Sequence, residues 1–217
     1  MEILIISVLA ILSYLLGSIP SSVWLGMRFA NVDVREHGSG NAGATNTFRV
    51  LGKKLGTAVL LMDVAKGLVA VSLVYLLVKF VPSTSFSGWD KTTIVNLQLL
   101  FGILAVVGHI FPVFAQFKGG KGIATLLGMV IGISYPLALC CIAIFLVVLF
   151  ATKYVSLSSM LATISYPILA FFVFHRTEIL LLLFGIVAAI MVVITHKKNI
   201  VRLVNGQESK ANLFRKK

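Results

Sequence analysis

The chain has 217 residues, 59% hydrophobic and 12% charged, with 19 Lys and Arg against 7 Asp and Glu. With a mean hydropathy of +1.02 it has too little polar surface to enclose a water-soluble core, which excludes an ordinary soluble domain and leaves a membrane-embedded one. The formal net charge of +12 serves topology first, because Lys and Arg accumulate in cytoplasmic segments and meet anionic lipid there; membrane lipids, with no nucleic acid, are the expected polyanionic partner.

A hydrocarbon core needs about 20 apolar residues per helical span. Residues 1–16 are apolar without a basic leader or a small-residue cleavage site, and read as a retained helix. The first span, Ile3–Met27, is broken towards its end by Gly17-Ser18-Ile19-Pro20-Ser21-Ser22, where small and hydroxyl residues permit close packing or line a polar pocket. Thr57–Phe80 and Ile94–Phe114 follow, joined by the polar connector Val81–Thr93 with an interfacial Trp89. The apolar stretch Ile123–Ala151 is too long for one span, and the residue before a proline resists helix, so it divides at Ser134-Tyr135-Pro136 into Ile123–Ile133 and Pro136–Ala151. Val155–Phe174 and Ile179–Thr195 complete the set. Cys140 and Cys141 are adjacent, a spacing that suits neither a disulfide framework nor a zinc site, and read as packing residues.

Seven spans place Arg28–Gly56, Ala115–Gly122, Thr152–Tyr154 and the tail from His196 on one side, with nearly all the Lys and Arg; the other side receives Lys91 and Arg176, with Lys79 at its border. Six spans would send the basic tail across the membrane from the other basic loops. The expectation is an all-α polytopic membrane protein of about seven transmembrane helices, N-terminus outside and C-terminus cytoplasmic. Residues 1–208 read as a single integral-membrane domain and 209–217 as a basic cytoplasmic tail.

Three segments on the basic side carry chemistry. Gly38-Ser39-Gly40-Asn41-Ala42-Gly43-Ala44-Thr45-Asn46, followed by Arg49, combines glycines that let backbone N–H groups converge on an anion with neutral donors and a guanidinium fork. Gly38, Gly40 and Gly43 formally match a dinucleotide fingerprint, but a membrane helix precedes them where a strand is required. Phe117-Lys118-Gly119-Gly120-Lys121-Gly122 places glycines and two lysines before a helix N-terminus, an anion-binding arrangement. It is not a Walker A loop, because Gly122 stands where Ser or Thr follows the lysine. In the third, His196-Lys197-Lys198-Asn199, the first and last residues would share a helical face, with Gly206 and Glu208 beyond.

Inside the spans, Asp63 and Lys66 lie three apart on one face and should pair or line a polar cavity. His109 reads as an interhelical hydrogen-bonding residue. No metal or other cofactor is expected, because no His/Cys cluster has ligand spacing. There is no G-x-S-x-G elbow and no His with an Asp five residues on. A carboxylate-supported general base is not visible among so few acids.

Taken together, GSIPSS (17–22), GSGNAGATN (38–46) with Arg49, DVAKG (63–67), GHIFPVFAQFKGGKG (108–122) and HKKNIVRLVNGQE (196–208) resemble the bacterial integral-membrane acyl-phosphate:glycerol-3-phosphate acyltransferase family. The resemblance implies a seven-helix enzyme of the bacterial cell (inner, cytoplasmic) membrane, with its active site on the cytoplasmic face. It would move a fatty acyl group from acyl phosphate to the 1-hydroxyl of glycerol-3-phosphate, giving lysophosphatidic acid and phosphate in phospholipid biosynthesis. An upstream enzyme that makes acyl phosphate would be its partner. By resemblance, Ser39, Arg49, Lys118, Lys121, His196 and Asn199 grip phosphate groups. Asn41, Gly43, Thr45 and Asn46 cradle the acyl phosphate, and Gly40, Asp63, Lys66, His109, Gly119, Gly120 and Glu208 support them. The rival reading is an organic-phosphate membrane transporter, which should place polar residues near the bilayer midplane and show repeat symmetry; here the polar segments gather at one face and no repeat is evident.

Overall fold

The computed structural model describes residues 2–80 and 89–211. Most of the predicted polar connector and residues 212–217 of the predicted basic tail, with Arg215, Lys216 and Lys217, lie outside the described residues. The helices are α1 Glu2–Ser18, α2 Ser21–Ala30, α3 Ala44–Ser72, α4 Val74–Phe80, α5 Lys91–Ile110, α6 Ile123–Ile133, α7 Tyr135–Thr152, α8 Val155–Ile168, α9 Ile179–Thr195 and α10 Lys197–Val204; no strand occurs among the described residues. Met1–Ile133 and Ser134–Lys217 form two compact units.

The architecture is all-α and multi-pass. Among the described residues, four helices are long and apolar enough to cross a bilayer, or up to six if the bent pairs α1–α2 and α9–α10 each count as one span. The division of 123–151 falls where the proline argument puts it: α6 ends at Ile133, and α7 carries Pro136 in its first turn, where a missing N–H costs nothing. The 11 residues of α6 rise about 16 Å, roughly half of a hydrocarbon core, so its length alone does not make it a span.

Two predicted elements differ in kind. The second span extends far upstream, because α3 starts at Ala44 and runs to Ser72 with a break at Gly52 (φ 82°, ψ −173°). Residues 44–51 are polar enough to read as loop, yet contain no helix breaker after Gly43. In the predicted span Val155–Phe174, α8 ends at Ile168 and a π-helical segment covers Leu169–Val173. Pro167 lies just before the change; its missing N–H and bulky ring disturb the α ladder there.

The first unit is pinned by glycine crossings. A Cβ on Gly67 would overlap the Thr125 carbonyl, and one on Gly128 the Val64 carbonyl, so α3 and α6 touch backbone to backbone. Gly17 meets Ala105, and Gly108 meets Tyr14, in the same way between α1 and α5. Leu9, Val74, Leu77 and Phe101 form an apolar cluster beside that crossing. In the second unit α7 buries only Leu137, Ala138 and Leu149, and α9 only Leu181, Gly185 and Val192, leaving most of both surfaces to lipid.

Candidate active site

In the first unit, the chain between α2 and α3 is a clamped loop. Asp33 caps a 3-10 turn at Val34–Glu36 by accepting the Arg35 N–H at 2.9 Å, and holds the Arg35 guanidinium at 3.0 Å (Nε–Oδ1) and 2.6 Å (Nη2–Oδ2). The hydrogen bonds from Arg35 hold the Asp33 carboxyl below its usual value, and Asp33 in turn raises the pKa of Arg35. Arg35 Nη1 also donates to the Ala115 carbonyl at 3.2 Å, tying this loop to the segment after α5. By sequence Arg35 is one of the basic-side charges of Arg28–Gly56, and the Asp33-x-Arg35 spacing is the local signal for the pair.

Asn46, expected to cradle the donor, turns inward. Its Oδ1 accepts from the Ser39 N–H at 2.8 Å, and its Nδ2 donates to the carbonyls of Val34 at 2.7 Å and His37 at 3.0 Å. Gly38 makes this possible: it has φ +63°, and a Cβ there would overlap Asn46 Oδ1. Gly43 caps α3, its carbonyl accepting from the N–H groups of Asn46 at 3.1 Å and Thr47 at 3.0 Å. Ser39, Gly40, Thr45 and Arg49 remain exposed and Asn41 half-buried.

The lysine loop uses its backbone differently from the expectation. Gln116 and Phe117 both have positive φ, at 56° and 59°, and turn the chain back onto the end of α5. There Gly119 N–H donates to the Ile110 carbonyl at 3.2 Å and Gly120 N–H to the His109 carbonyl at 3.1 Å. These glycine donors satisfy a helix C-terminus and so cannot also turn to an anion. Charge at this loop falls to the exposed Lys118 and the half-buried Lys121. A Cβ on Gly120 would run into the Ala42 carbonyl at 2.7 Å, so the two glycine-rich segments touch.

Beneath them lies a small cavity lined by Ser21, Ala42, Asp63, Lys66, His109 and Gly119, among others. Lys66 Nζ lies 2.7 Å from Asp63 Oδ1 and also donates to the Ile19 carbonyl at the α1–α2 break. His109 Nδ1 is 3.7 Å from the same carboxylate oxygen. Thus the Asp63–Lys66 pair expected within one motif and the histidine of another form one buried group. Ser18, Ser21 and Ser22 are all buried, and Ser21 lines the cavity.

The second unit holds the third motif. His196 is the N-cap of α10, at a 60° bend from α9, with Asn199 in the first turn of that helix. Its Nδ1 lies 2.8 Å from the Val192 carbonyl, which can only accept, so the proton sits on Nδ1. Asn199 Nδ2 donates to Glu208 Oε1 at 2.7 Å, as does Ser156 Oγ at 2.9 Å, while Arg202 Nε reaches Oε2 at 2.7 Å. Burial pushes the Glu208 carboxyl up, but the hydrogen bonds from Arg202, Asn199 and Ser156 outweigh it and hold the pKa below its usual value. Ser156 carried no sequence signal, because nothing local sets it apart from Ser158, Ser159 and Ser165 of the same helix. Among the described residues no three His, Cys, Asp or Glu side chains gather as a metal site would require.

The sequence model of the glycerol-3-phosphate acyltransferase family matches residues 7–206. The chain is 43% identical over 200 residues to a glycerol-3-phosphate acyltransferase of Fusobacterium nucleatum, covering 92% of this chain and 95% of that one. It is 39% identical over 234 residues to one of Chlorobium phaeobacteroides, covering 97% and 98%. Among solved structures it is similar to PlsY (YgiH), an integral membrane glycerol 3-phosphate acyltransferase. The glycerol 3-phosphate form gives a TM-score of 0.80 at 36% identity over 95% of this chain and 96% of that one. The lysophosphatidic acid form gives 0.77 at 35% identity over 94% of each. A chain with this membrane fold, matched over almost its whole length, belongs to the glycerol-3-phosphate acyltransferase family.

Proposed function

We propose that this chain transfers a fatty acyl group from acyl phosphate to the 1-hydroxyl of glycerol-3-phosphate, releasing lysophosphatidic acid and inorganic phosphate. The observation that carries the reading is the meeting of the two glycine-rich segments at Ala42 and Gly120, with Ser39, Arg49 and Lys118 left exposed around them. Both substrates bear phosphate and one bears a long acyl chain, so a cationic, hydroxyl-lined site in a membrane protein suits both. The charge distribution supports seven spans including α6, an outside N-terminus and a cytoplasmic site, and the family resemblance supports the bacterial cell membrane as its place.

Arg49, Lys118 and Lys121 would neutralise the phosphates, Ser39, Asn41 and Thr45 would donate to them, and Gly40 and Gly43 would leave room for the donor. Asn46, Asp63, Lys66, His109, Gly119 and Gly120 would act as positioning residues. In the second unit His196 and Asn199 would contact phosphate, with Glu208 holding Asn199. The hydroxyl oxygen attacks the acyl carbon, the bond from that carbon to the phosphate oxygen breaks, and the hydroxyl proton leaves on the departing phosphate. Asp33, Asp63 and Glu208 each already hold a cationic side chain, which supports this substrate-assisted proton transfer. Acyl phosphate is a mixed anhydride, so positioning and charge neutralisation suffice.

The test is transfer of labelled glycerol-3-phosphate into lysophosphatidic acid by purified protein, with acyl phosphate or acyl-CoA as donor and Arg49→Ala as control. Transfer from acyl phosphate alone, lost in the control, is the expected result. Transfer from acyl-CoA alone would overturn the donor assignment, and transfer from neither by folded protein would overturn the reaction.

A further inference from the structure

The second unit has two chemically unlike ends. At one, Arg176 is paired with Glu178 at 2.8 Å. At the other, the turn between α7 and α8, the start of α10 and the returning tail are held together, because Glu208 bonds both Ser156 and Asn199 and the Ala211 N–H donates to the Lys153 carbonyl at 2.7 Å. Lys153, Lys197, Lys198 and Lys210 are exposed around that end. Its carboxylate, Glu208, is turned inward, with a side chain 6% exposed.

Helix α10 has two faces. Asn199 is buried, whereas Lys197, Val201 and Val204 follow each other at spacings of four and three along the opposite side, with Lys198 beside them. Val201 is 54% and Val204 82% exposed. Valines in water gain nothing there. A helix that leaves a span at a 60° bend and mixes exposed valine with lysine is suited to the bilayer interface. Valines enter the acyl boundary there, while lysine stems lie along it and raise their ammonium groups to phosphate.

We propose that this surface binds the headgroups of anionic phospholipid in the host bilayer and holds α10 flat in the interface. Because the inner side of the same short helix carries His196 and Asn199, this contact sets their position. Resting on the acyltransferase reading above, acyl transfer therefore rises with the anionic lipid content of the membrane.

The test uses the full chain and a Lys197→Gln/Lys198→Gln variant, with Lys197→Arg/Lys198→Arg as a charge-preserving control. Retained lipid is counted by native mass spectrometry after exposure to phosphatidylcholine and phosphatidylglycerol in equal amounts. Acyl transfer is assayed in vesicles of phosphatidylcholine alone and of the equimolar mixture. Each lysine near an anionic surface is worth about fivefold in affinity, so the Gln variant should lose about 25-fold in preference for phosphatidylglycerol while the Arg variant retains it. Activity should rise with phosphatidylglycerol in the wild type and not in the Gln variant. Equal retention of both lipids by wild type and Gln variant would overturn the binding surface and leave these lysines to topology. Selective retention with the same activity in both vesicles would overturn the coupling to catalysis. Selective retention lost in the Gln variant, in protein inactive with either acyl donor, would support the lipid surface and overturn the acyltransferase reading instead.

Discussion

Asp63 Oδ1 and Lys66 Nζ lie 2.7 Å apart on one face of α3, with side chains 2% and 5% exposed. Neither charge is tolerable alone in an apolar interior, so each is there because of the other. Removing one partner, as in Asp63→Asn or Lys66→Met, should cost about 3 kcal/mol. Removing both, as in Asp63→Leu with Lys66→Met, should cost less than either single change. Thermal unfolding of the purified protein in detergent measures this, and additive losses would contradict the pairing.

Asn46 should matter more to binding than its burial suggests. Asn46→Ala removes the side-chain partner of the Ser39 N–H and one of the donors to each of the Val34 and His37 carbonyls, at a cost of about 1–3 kcal/mol for the loop. We expect kcat/KM for glycerol-3-phosphate to fall at least tenfold while helix content is unchanged. Circular dichroism and steady-state kinetics on one preparation separate the two effects.

Arg49 and Lys118 are exposed and have little structural work. A charge-assisted hydrogen bond to phosphate is worth about 1.5–3 kcal/mol, so Arg49→Ala and Lys118→Ala should each lower kcat/KM by about 10- to 100-fold. Melting temperatures should hardly move. A large fall in stability with unchanged kinetics would remove both residues from the site.

Gly120→Ala tests the contact between the two glycine segments. The new methyl would overlap His109 Nε2 and press on the Ala42 carbonyl, so the lysine loop must shift. Activity should drop about 100-fold, as expected when reacting groups move by about 1 Å. Gly206→Ala, where nothing lies within 4 Å but φ is +67°, serves as a control for backbone strain alone and should retain most activity.

The folded pKa of Glu208 lies below its ordinary 4.5, because the hydrogen bonds from Arg202, Asn199 and Ser156 outweigh burial. Such a group binds its proton more weakly folded than unfolded. Its stabilisation is complete above the ordinary value and is lost as pH falls through the folded one. Melting of the wild type should therefore decline below about pH 4.5, and Glu208→Gln should flatten that part of the profile while lowering the plateau at neutral pH. An unchanged acid limb in the variant would assign the loss to other carboxylates.

Composition and local rules made much of the protein legible. Hydropathy located the apolar helices, with Ile123–Ile133 and Ile179–Thr195 recovered at their observed bounds, because a membrane helix must be both apolar and internally hydrogen-bonded. Proline explained the division before Pro136, and residue chemistry singled out the three polar segments. Tertiary structure decided how those residues are used. The sequence showed that Gly119 and Gly120 were small, but not that their N–H groups would close the end of α5 instead of facing an anion. It showed Asn46 as a donor, but not that three backbone partners from 34 to 39 would claim it. It put Asp63 and Lys66 on one helical face but His109 in a separate motif, and only the packing of α3 against α5 placed all three on one cavity. The difference is physical: hydropathy and turn preference are local properties, whereas a hydrogen bond is claimed by whichever partner the folded chain brings within about 3 Å.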